Sequence, residues 1–214
     1  MKSDARPAAF VFDAYGTLYD VHSVAARCES YWPGRGAELS LLWRTKQLEY
    51  TWQRSLMQRY APFSAVTREA LAYACEALGL ALREELAGEY LRLSLYPEVR
   101  DTLQRLKTKQ AILSNGSPDM LDPLLEHCGL RFDAVISVDE LKLYKPAPQV
   151  YALAVQRLEV SKEKIGFVSS NCWDAIGAKS YGFRVYWINR AKAPLDRLGF
   201  KPDAVLTSLD EILQ

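Results

Sequence analysis

The sequence predicts an α/β fold. Short apolar runs recur along the chain, each stopped by a turn signal, as in strands buried on both faces of a parallel sheet. From residue 100 onward these runs alternate with amphipathic helical patterns, which is typical of parallel strands joined by crossover helices. Between residues 19 and 96 only helical patterns occur. We therefore predict a Rossmann-like parallel-sheet core of residues 1–18 and 97–214, with residues 19–96 inserted after the first strand as a helical cap.

Each element follows from a local pattern. Runs of β-forming residues predict six strands, at residues 8–12, 111–114, 134–138, 165–170, 184–188 and 204–206. Cap and stop residues predict core helices from Ser117 to Gly129, from Pro146 to about residue 158, and from Asn171 to Gly182. Amphipathic spacing predicts cap helices at about residues 21–31, 38–59, 66–79 and 83–94.

Composition narrows the class of protein. Of the 214 residues, 49% are hydrophobic and 25% are charged, as in an ordinary globular protein. A net charge of +1 favours neither a nucleic-acid partner nor an anionic membrane, and no apolar run approaches the roughly 20 residues of a membrane span. The first seven residues, MKSDARP, contain no signal-peptide core. Four widely spaced cysteines without a CxxC pair are interpreted as reduced, buried thiols of a cytoplasmic protein.

Polar residues gather where the predicted strands end. Ligands of open parallel sheets bind beyond the carboxyl ends of the strands, so these residues are candidates for one shared site. Each also has an ordinary explanation as a turn residue, a helix cap or a solvated charge. Their joint position at the strand ends of one sheet favours the site. The candidates are Asp13, Tyr15, Thr17, Ser114, Asn115, Gly116, Lys145, Asn171 and Asp174.

Arg44 is a separate candidate from the cap. Leu41, Arg44, Leu48 and Trp52 follow the 3-4-4 spacing of one helix face, which predicts that Arg44 lies on an apolar face. A buried arginine needs an anion or a carboxylate partner. The alternative is that its stem packs while its guanidinium reaches solvent. The chain contains neither a GxSxG elbow nor a Walker A loop.

At these residues the sequence resembles the haloacid dehalogenase superfamily, and within it the L-2-haloacid dehalogenases. The segment FDAYGTLYD, residues 12–20, resembles the motif that carries the nucleophile of this family. The other similar segments follow in the same order and extend over nearly the whole chain. They are LWRTKQLEYTWQRSLM, LSNGSPDML, KLYKPAPQVY and FVSSNCWDAIGAKSYGF.

Two departures separate this chain from the phosphatases of the superfamily. Tyr15 stands where those enzymes have a second Asp as general acid, and Ser170 stands where they have an acidic magnesium ligand. A hard cation would lack most of its oxygen ligands here. We therefore expect no metal and no cofactor.

The resemblance implies hydrolytic dehalogenation of short L-2-haloalkanoic acids to D-2-hydroxy acids, with Asp13 forming an aspartyl ester that water hydrolyses. It assigns catalytic roles to Asp13, Thr17, Lys145, Ser169, Asn171 and Asp174. It assigns halide binding to Arg44 and Asn115. It assigns substrate binding to Ala14, Tyr15, Leu48, Phe63, Ser114, Tyr151 and Trp173.

The expected partners are a haloacid, a halide ion and a second copy of the chain. Family members are commonly homodimers through the cap, and Trp43, Tyr50 and Tyr60 resemble exposed aromatic residues there. The alternatives are a phosphatase of the same superfamily and a non-catalytic binding protein on the same fold. The sequence leaves the preferred halogen, the chain length and the physiological substrate open.

Overall fold

A computed structural model describes residues 6–214, so residues 1–5 of the predicted core and of the N-terminal motif lie outside it. Six parallel strands form one sheet in the order β3-β2-β1-β4-β5-β6. In chain order, β1, β2 and β3 form one half of the sheet, and β4, β5 and β6 then extend it from the other side of β1. The strands are β1 (Ala9–Phe12), β2 (Lys109–Ser114), β3 (Ala134–Ser137), β4 (Ile165–Ser169), β5 (Arg184–Ile188) and β6 (Ala204–Leu206).

Four helices connect the strands of the sheet: α4 (Val99–Arg105), α5 (Pro118–Cys128), α6 (Pro148–Leu158) and α7 (Cys172–Tyr181). Left-handed Gly129 and Gly182 end α5 and α7, as predicted. Ser117 precedes α5, but its side chain makes no capping bond there. Its hydroxyl instead accepts a hydrogen bond from the backbone N–H of Ser64 at 3.3 Å, near the start of a helix between β1 and β2.

The segment between β1 and α4 is helical. It contains α1 (Ser23–Tyr31), α2 (Gly36–Met57), α3 (Phe63–Ala77) and a 3-10 helix (Glu84–Leu91), which together we call the helical insert. The chain enters and leaves the helical insert through two neighbouring segments, which are hydrogen-bonded to each other. Asp20 N–H donates to the Ser94 carbonyl at 2.8 Å, and Tyr96 N–H donates to the Leu18 carbonyl at 3.0 Å.

The predicted helix at residues 83–94 is wrong in type and length, because only the 3-10 segment forms. Gly88 lies in its interior, where glycine disfavours a regular α-helix. Leu86 and Tyr90 are nevertheless buried. The segment therefore contributes two apolar side chains to the core, although it does not form a regular α-helix.

The buried face of α2 also differs from the prediction. Its fully buried positions are Leu39, Trp43, Gln47 and Thr51, whereas Leu41 is 71% exposed. Since α1 and α3 pack against α2, they cover the Trp43 side and leave the predicted apolar face open.

Trp43 is correspondingly not an exposed aromatic residue. It is 0% exposed and donates its indole N–H to the Thr67 carbonyl at 2.8 Å. Tyr50 and Tyr60 are half-buried, and the Tyr60 hydroxyl donates to Asp139 Oδ1 at 2.8 Å. These three residues therefore do not support the predicted dimer.

The cysteines are free, as predicted, but only Cys28 and Cys75 are buried; Cys128 and Cys172 are half-exposed. Of the helices between residues 6 and 214, none combines the length and the apolar composition that a bilayer span requires.

The contact between α7 and the loop before α6 generates a stability prediction. A Cβ atom on Gly177 would lie 2.5 Å from Pro146 Cβ and 2.5 Å from the Tyr151 hydroxyl oxygen. Gly177→Ala should destabilise the protein by about 1–3 kcal/mol through overpacking, although alanine improves helix propensity by about 1 kcal/mol. Urea denaturation measures the change.

Gly88→Ala is the matched control, because a Cβ there meets no atom within 4 Å. It should leave stability unchanged or raise it. A Gly177→Ala variant that is at least as stable as the wild type would contradict the argument.

Candidate functional site

The site begins in the turn after β1. Asp13 leaves the strand with its N–H donated to the Val168 carbonyl at 2.9 Å, and the residue is only 6% exposed. The turn requires Gly16, whose φ is +85° and whose missing Cβ would lie 3.2 Å from Ser170 Oγ. This turn brings Thr17 back over Asp13, so that its hydroxyl donates to Asp13 Oδ2 at 3.0 Å.

The two oxygens of Asp13 have different surroundings. Oδ2 accepts from Thr17, from Asn171 Nδ2 at 2.8 Å and from Ser169 Oγ at 3.5 Å. Among residues 6–214, Oδ1 accepts only from Lys145 Nζ, at 3.1 Å. All of these partners are donors, which is the pattern that an ionised carboxylate requires.

Lys145 lies between two carboxylates. Its ammonium is fully buried, 3.1 Å from Asp13 Oδ1 and 2.9 Å from Asp174 Oδ2. Burial acts to lower the pKa of Lys145, but the two carboxylates outweigh it and hold that pKa above its ordinary value. Lys145 is therefore a permanent cation at the centre of the site.

Asp174 is the second carboxylate of this group and is 0% exposed. Burial raises its pKa to about 6, against the opposing effect of Lys145. The Tyr151 hydroxyl donates to Asp174 Oδ1 at 2.8 Å, and burial keeps the pKa of that hydroxyl well above its usual value. Asp174 is thus a carboxylate whose pKa lies near neutrality, oriented by two fixed donors.

Asn171 precedes α7 but does not cap it through its side chain. Its Nδ2 instead contacts Asp13 and donates to the Tyr15 carbonyl at 3.1 Å. The cap interpretation of Asn171 is therefore wrong, and its side chain belongs to the Asp13 group.

The end of β2 forms another side of the site. Ser114 is fully buried, and its Oγ accepts from the Gly116 N–H at 3.0 Å. Asn115 Oδ1 accepts from the Lys145 backbone N–H at 3.0 Å, which leaves the Asn115 amide nitrogen as a donor for a ligand. Gly116 admits the Tyr15 ring, since a Cβ there would lie 2.8 Å from Tyr15 Cε2.

Two backbone donors beside Asp13 are unused. Among residues 6–214, the N–H groups of Ala14 and Tyr15 donate to no other residue. Buried N–H groups normally have a partner, so these two are available to an anionic ligand.

A cleft of about 380 Å³ opens between the helical insert and the sheet. Arg44 and Leu48 line it from α2, and Asn171 and Trp173 line it from the sheet side. Arg44 thus borders the cleft rather than the buried face of α2, which corrects the prediction from spacing. Asn171 also donates to Asp13 at 2.8 Å, so this residue connects the cleft to the carboxylate group, whose members do not themselves line the cleft.

Tyr15 and Phe63 pack against each other beside this cleft and do not line it. Their ring centroids are 6.0 Å apart, and both side chains are buried. The Tyr15 hydroxyl has no hydrogen-bond partner among the described residues, and burial raises its pKa. Both rings therefore separate the site from the interior of the helical insert.

Sequence reasoning missed two residues that hold the site together. Ser170 donates its N–H to Thr17 Oγ1 at 2.8 Å and its hydroxyl to the Gly16 carbonyl at 2.6 Å. Arg190 donates to the carbonyls of Gly16 and Thr17 at 3.3 and 3.2 Å and pairs with Glu98 at 2.6 Å. Arg190 follows β5, so the strand-end argument applied to that strand would have found it.

Comparison with known proteins shows the family to which the chain belongs. Residues 7–182 match the family described as haloacid dehalogenase-like hydrolase. The chain is 50% identical over 212 residues to an (S)-2-haloacid dehalogenase of Pseudomonas sp. strain YL, covering 95% of this chain and 91% of that protein. It is 45% identical over 214 residues to haloacetate dehalogenase H-2 of Moraxella sp. strain B, covering 96% of each.

The structural similarity extends over the same length. The L-2-haloacid dehalogenase of Xanthobacter autotrophicus, solved with chloropropionic acid covalently bound, has a TM-score of 0.91, 43% sequence identity and 96% coverage of both chains. The chain belongs to the haloacid dehalogenase-like hydrolases and, within them, to the (S)-2-haloacid dehalogenases.

Proposed function

We propose that this protein hydrolyses short L-2-haloalkanoic acids to D-2-hydroxy acids through an ester formed on Asp13. The observation that carries the proposal is the buried Asp13 carboxylate, which is held by donors, one of which, Asn171, borders the same cleft as Arg44. The covalently bound chloropropionic acid in the Xanthobacter relative supports the same chemistry. The proposal also assigns residues 19–96 to a cap domain and the remaining residues to a core domain.

The first step is displacement at C2 of the substrate. Asp13 Oδ1 has one donor and Oδ2 has three, so Oδ1 has the freer lone pair for attack. Its bond to C2 forms as the carbon–halogen bond breaks and the halide leaves with the electron pair. Because only this step involves C2, the configuration is inverted. A fixed nucleophile also removes much of the entropic barrier.

Donors for the substrate carboxylate surround the same turn. The unused N–H groups of Ala14 and Tyr15 lie next to Asp13, and the Ser114 hydroxyl ends the neighbouring strand. These groups fix the carboxylate so that C2 faces Asp13. Leu48 and Trp173 line the cleft and offer apolar contacts for the carbon chain.

The departing halide requires a cationic, water-poor environment. Arg44 borders the cleft from the helical insert. Asn115 follows β2, and because its Oδ1 accepts from the Lys145 N–H, its amide nitrogen can serve a ligand as a donor. A guanidinium and an amide together stabilise the charge that develops as the carbon–halogen bond breaks. We therefore assign halide binding to Arg44 and Asn115, and the position of Arg44 at the cleft supports its assignment.

Water then attacks the ester carbonyl carbon of Asp13. Asp174 accepts the proton of that water, while Lys145 and Tyr151 hold its carboxylate in place. The carbonyl oxygen becomes an oxyanion at Oδ2, where Thr17, Asn171 and Ser169 already donate. Collapse expels the hydroxy acid, whose new hydroxyl takes the proton back from Asp174, and leaves Asp13 as a carboxylic acid. This acid loses its proton to water, which restores the Asp13 carboxylate.

We propose that the protein works as a homodimer in a reducing cytoplasm. Exposed apolar side chains on α2 support the dimer, since such patches mark interfaces. Leu41 is 71% exposed, Trp52 37% and Leu56 85%. Trp52 also lines an apolar groove of about 430 Å³ with Leu198 and Phe200. The four free thiols support the reducing compartment.

Asp13→Asn should abolish chloride release from L-2-chloropropionate by at least about 10³-fold, because an amide is a poor nucleophile. The wild type should release chloride from the L enantiomer and not from the D enantiomer. Asp20→Asn is the matched control, since Asp20 lies in the same motif and its side chain accepts from the His22 N–H at 2.9 Å. Its rate should stay near that of the wild type.

Circular dichroism should show that the Asp13→Asn variant is folded. Near wild-type turnover by this variant would reject the nucleophile. Absence of chloride release by the wild type, combined with magnesium-dependent phosphate release from a phosphoester, would instead favour the phosphatase alternative.

Hydrolysis of the ester should fail in acid. Asp174 must be ionised to accept a proton, and burial raises its pKa to about 6. Esterification removes the negative charge of Asp13, which lowers the pKa of Asp174, so the acidic limb of kcat should lie at or below pH 6. Below this limb kcat should fall about tenfold per pH unit, and quenched samples should show the esterified protein by mass spectrometry.

Asp174→Asn should remove the limb together with most of the turnover, whereas Asp20→Asn should keep it. A kcat that stays constant down to pH 4 would contradict the role of Asp174 as the base.

The dimer is tested by light scattering after size exclusion. The double variant Leu41→Glu/Leu56→Glu should be monomeric at a concentration where the wild type is dimeric, because two carboxylates cannot be buried without partners. Val205→Glu is the control, since Val205 is 56% exposed on the edge strand β6. Dissociation by Val205→Glu alone would place the interface elsewhere.

A further inference from the structure

A group of side chains joins the helical insert to the loop that carries Lys145. We call it the tyrosine clasp and define it as Ser55, Tyr60, Tyr144 and Asp139. Tyr144 is 1% exposed, and its hydroxyl donates to the Ala61 carbonyl at 2.6 Å. Its backbone N–H donates to Ser55 Oγ at 3.2 Å. Both partners lie in the helical insert, at or just after the end of α2.

Aromatic packing strengthens the same contact. The Tyr60 and Tyr144 ring centroids are 5.0 Å apart, and Phe63 packs against Tyr144 at 6.2 Å. The Tyr60 hydroxyl donates to Asp139 on the sheet side at 2.8 Å. The clasp therefore joins the helical insert and the sheet side by two hydrogen bonds. Tyr144 on the sheet side donates to the insert, and Tyr60 on the insert donates to the sheet side.

The clasp is one peptide bond away from the central cation. Tyr144 is tied to the helical insert, whereas the N–H of the next residue, Lys145, donates to Asn115 on the sheet at 3.0 Å. Consecutive Cα atoms lie about 3.8 Å apart across a trans peptide, so little slack separates the two attachments. Movement of the insert at Ala61 or Ser55 is therefore transmitted to the backbone of Lys145.

Lys145 has a narrow tolerance for such movement. Its ammonium is fully buried and contacts one oxygen each of Asp13 and Asp174 at 3.1 and 2.9 Å. A displacement of about 1 Å at a reacting group can cost about 10²-fold in rate. Docking of the helical insert and the geometry of the site are thus mechanically linked.

We propose that Tyr144 is a positioning residue, which couples docking of the helical insert to the placement of Lys145 between Asp13 and Asp174. This inference rests on the proposed function, because it concerns the same reaction. Tyr144 touches neither carboxylate and acts through Lys145. The Tyr144 contact thus has two effects. It holds the helical insert, which carries Arg44, against the sheet, which carries Asp13, and it aligns Lys145.

The test is Tyr144→Phe, which keeps the ring contacts and removes the bond to the Ala61 carbonyl. We expect kcat on L-2-chloropropionate to fall about threefold to thirtyfold with KM changed less than twofold. The titratable groups that face Asp174 are Asp13 after β1, Lys145 before α6 and Tyr151 on α6. Weaker contact with Lys145 raises the pKa of Asp174, so the acidic limb of kcat should move to higher pH.

Ser55→Ala tests the same link from the other side, because it removes the acceptor of the Tyr144 N–H without altering either ring. It should shift the limb in the same direction. Tyr60→Phe removes a hydroxyl that hydrogen-bonds both Asp139 and Tyr144, so it should also shift the limb in the same direction. Tyr50→Phe, a tyrosine of the same insert that packs on Tyr73, is the control for losing a hydroxyl.

A readout without turnover separates this inference from the proposed function. If the wild type releases no halide, the proposed function fails, but the carbon-13 titration of the Asp174 carboxyl by NMR still tests the coupling. Tyr144→Phe should raise that apparent pKa relative to the wild type. Superimposable pH profiles and titrations for wild type, Tyr144→Phe and Ser55→Ala would overturn the inference.

Discussion

The buried ammonium of Lys145 between two carboxylates is the interaction on which the rest of the structure depends. Asp13 and Asp174 are almost inaccessible to water, and either one without a cation would carry the desolvation cost of an unpaired charge. Lys145 offsets this cost for both at distances of 3.1 and 2.9 Å. The strand order makes this arrangement possible. It places β1 beside β4 and so brings Asp13 next to the start of α7, which carries Asp174.

The unequal surroundings of the two Asp13 oxygens give the site its direction. Within the described part of the chain, one oxygen accepts from Thr17, Asn171 and Ser169, whereas the other accepts only from Lys145. A carboxylate with equivalent oxygens would have no preferred point of attack. The same three donors serve the ground state and the later oxyanion, so the site needs little reorganisation between the two steps.

Much of this could be predicted from the sequence. The six strands and their parallel arrangement follow from apolar runs separated by helical patterns, and the observed strands differ from the predicted ones by at most two residues at either end. The rule that ligands bind beyond strand ends selected Asp13, Asn115, Asn171 and Asp174, because a parallel sheet brings those ends to one edge. The resemblance added roles that spacing could not supply, such as that of Arg44.

Only the tertiary structure shows which elements of the fold cover each face of a helix. Helical spacing placed Arg44 and Trp52 on one side of α2, but only the packing of α1 and α3 shows that this side borders the cleft and that Trp43 is buried. The contacts of Ser170 and Tyr144 were likewise invisible, because they join residues far apart in sequence. Periodicity reports where a side chain lies on its own element, whereas burial and partners depend on what the rest of the chain packs against it.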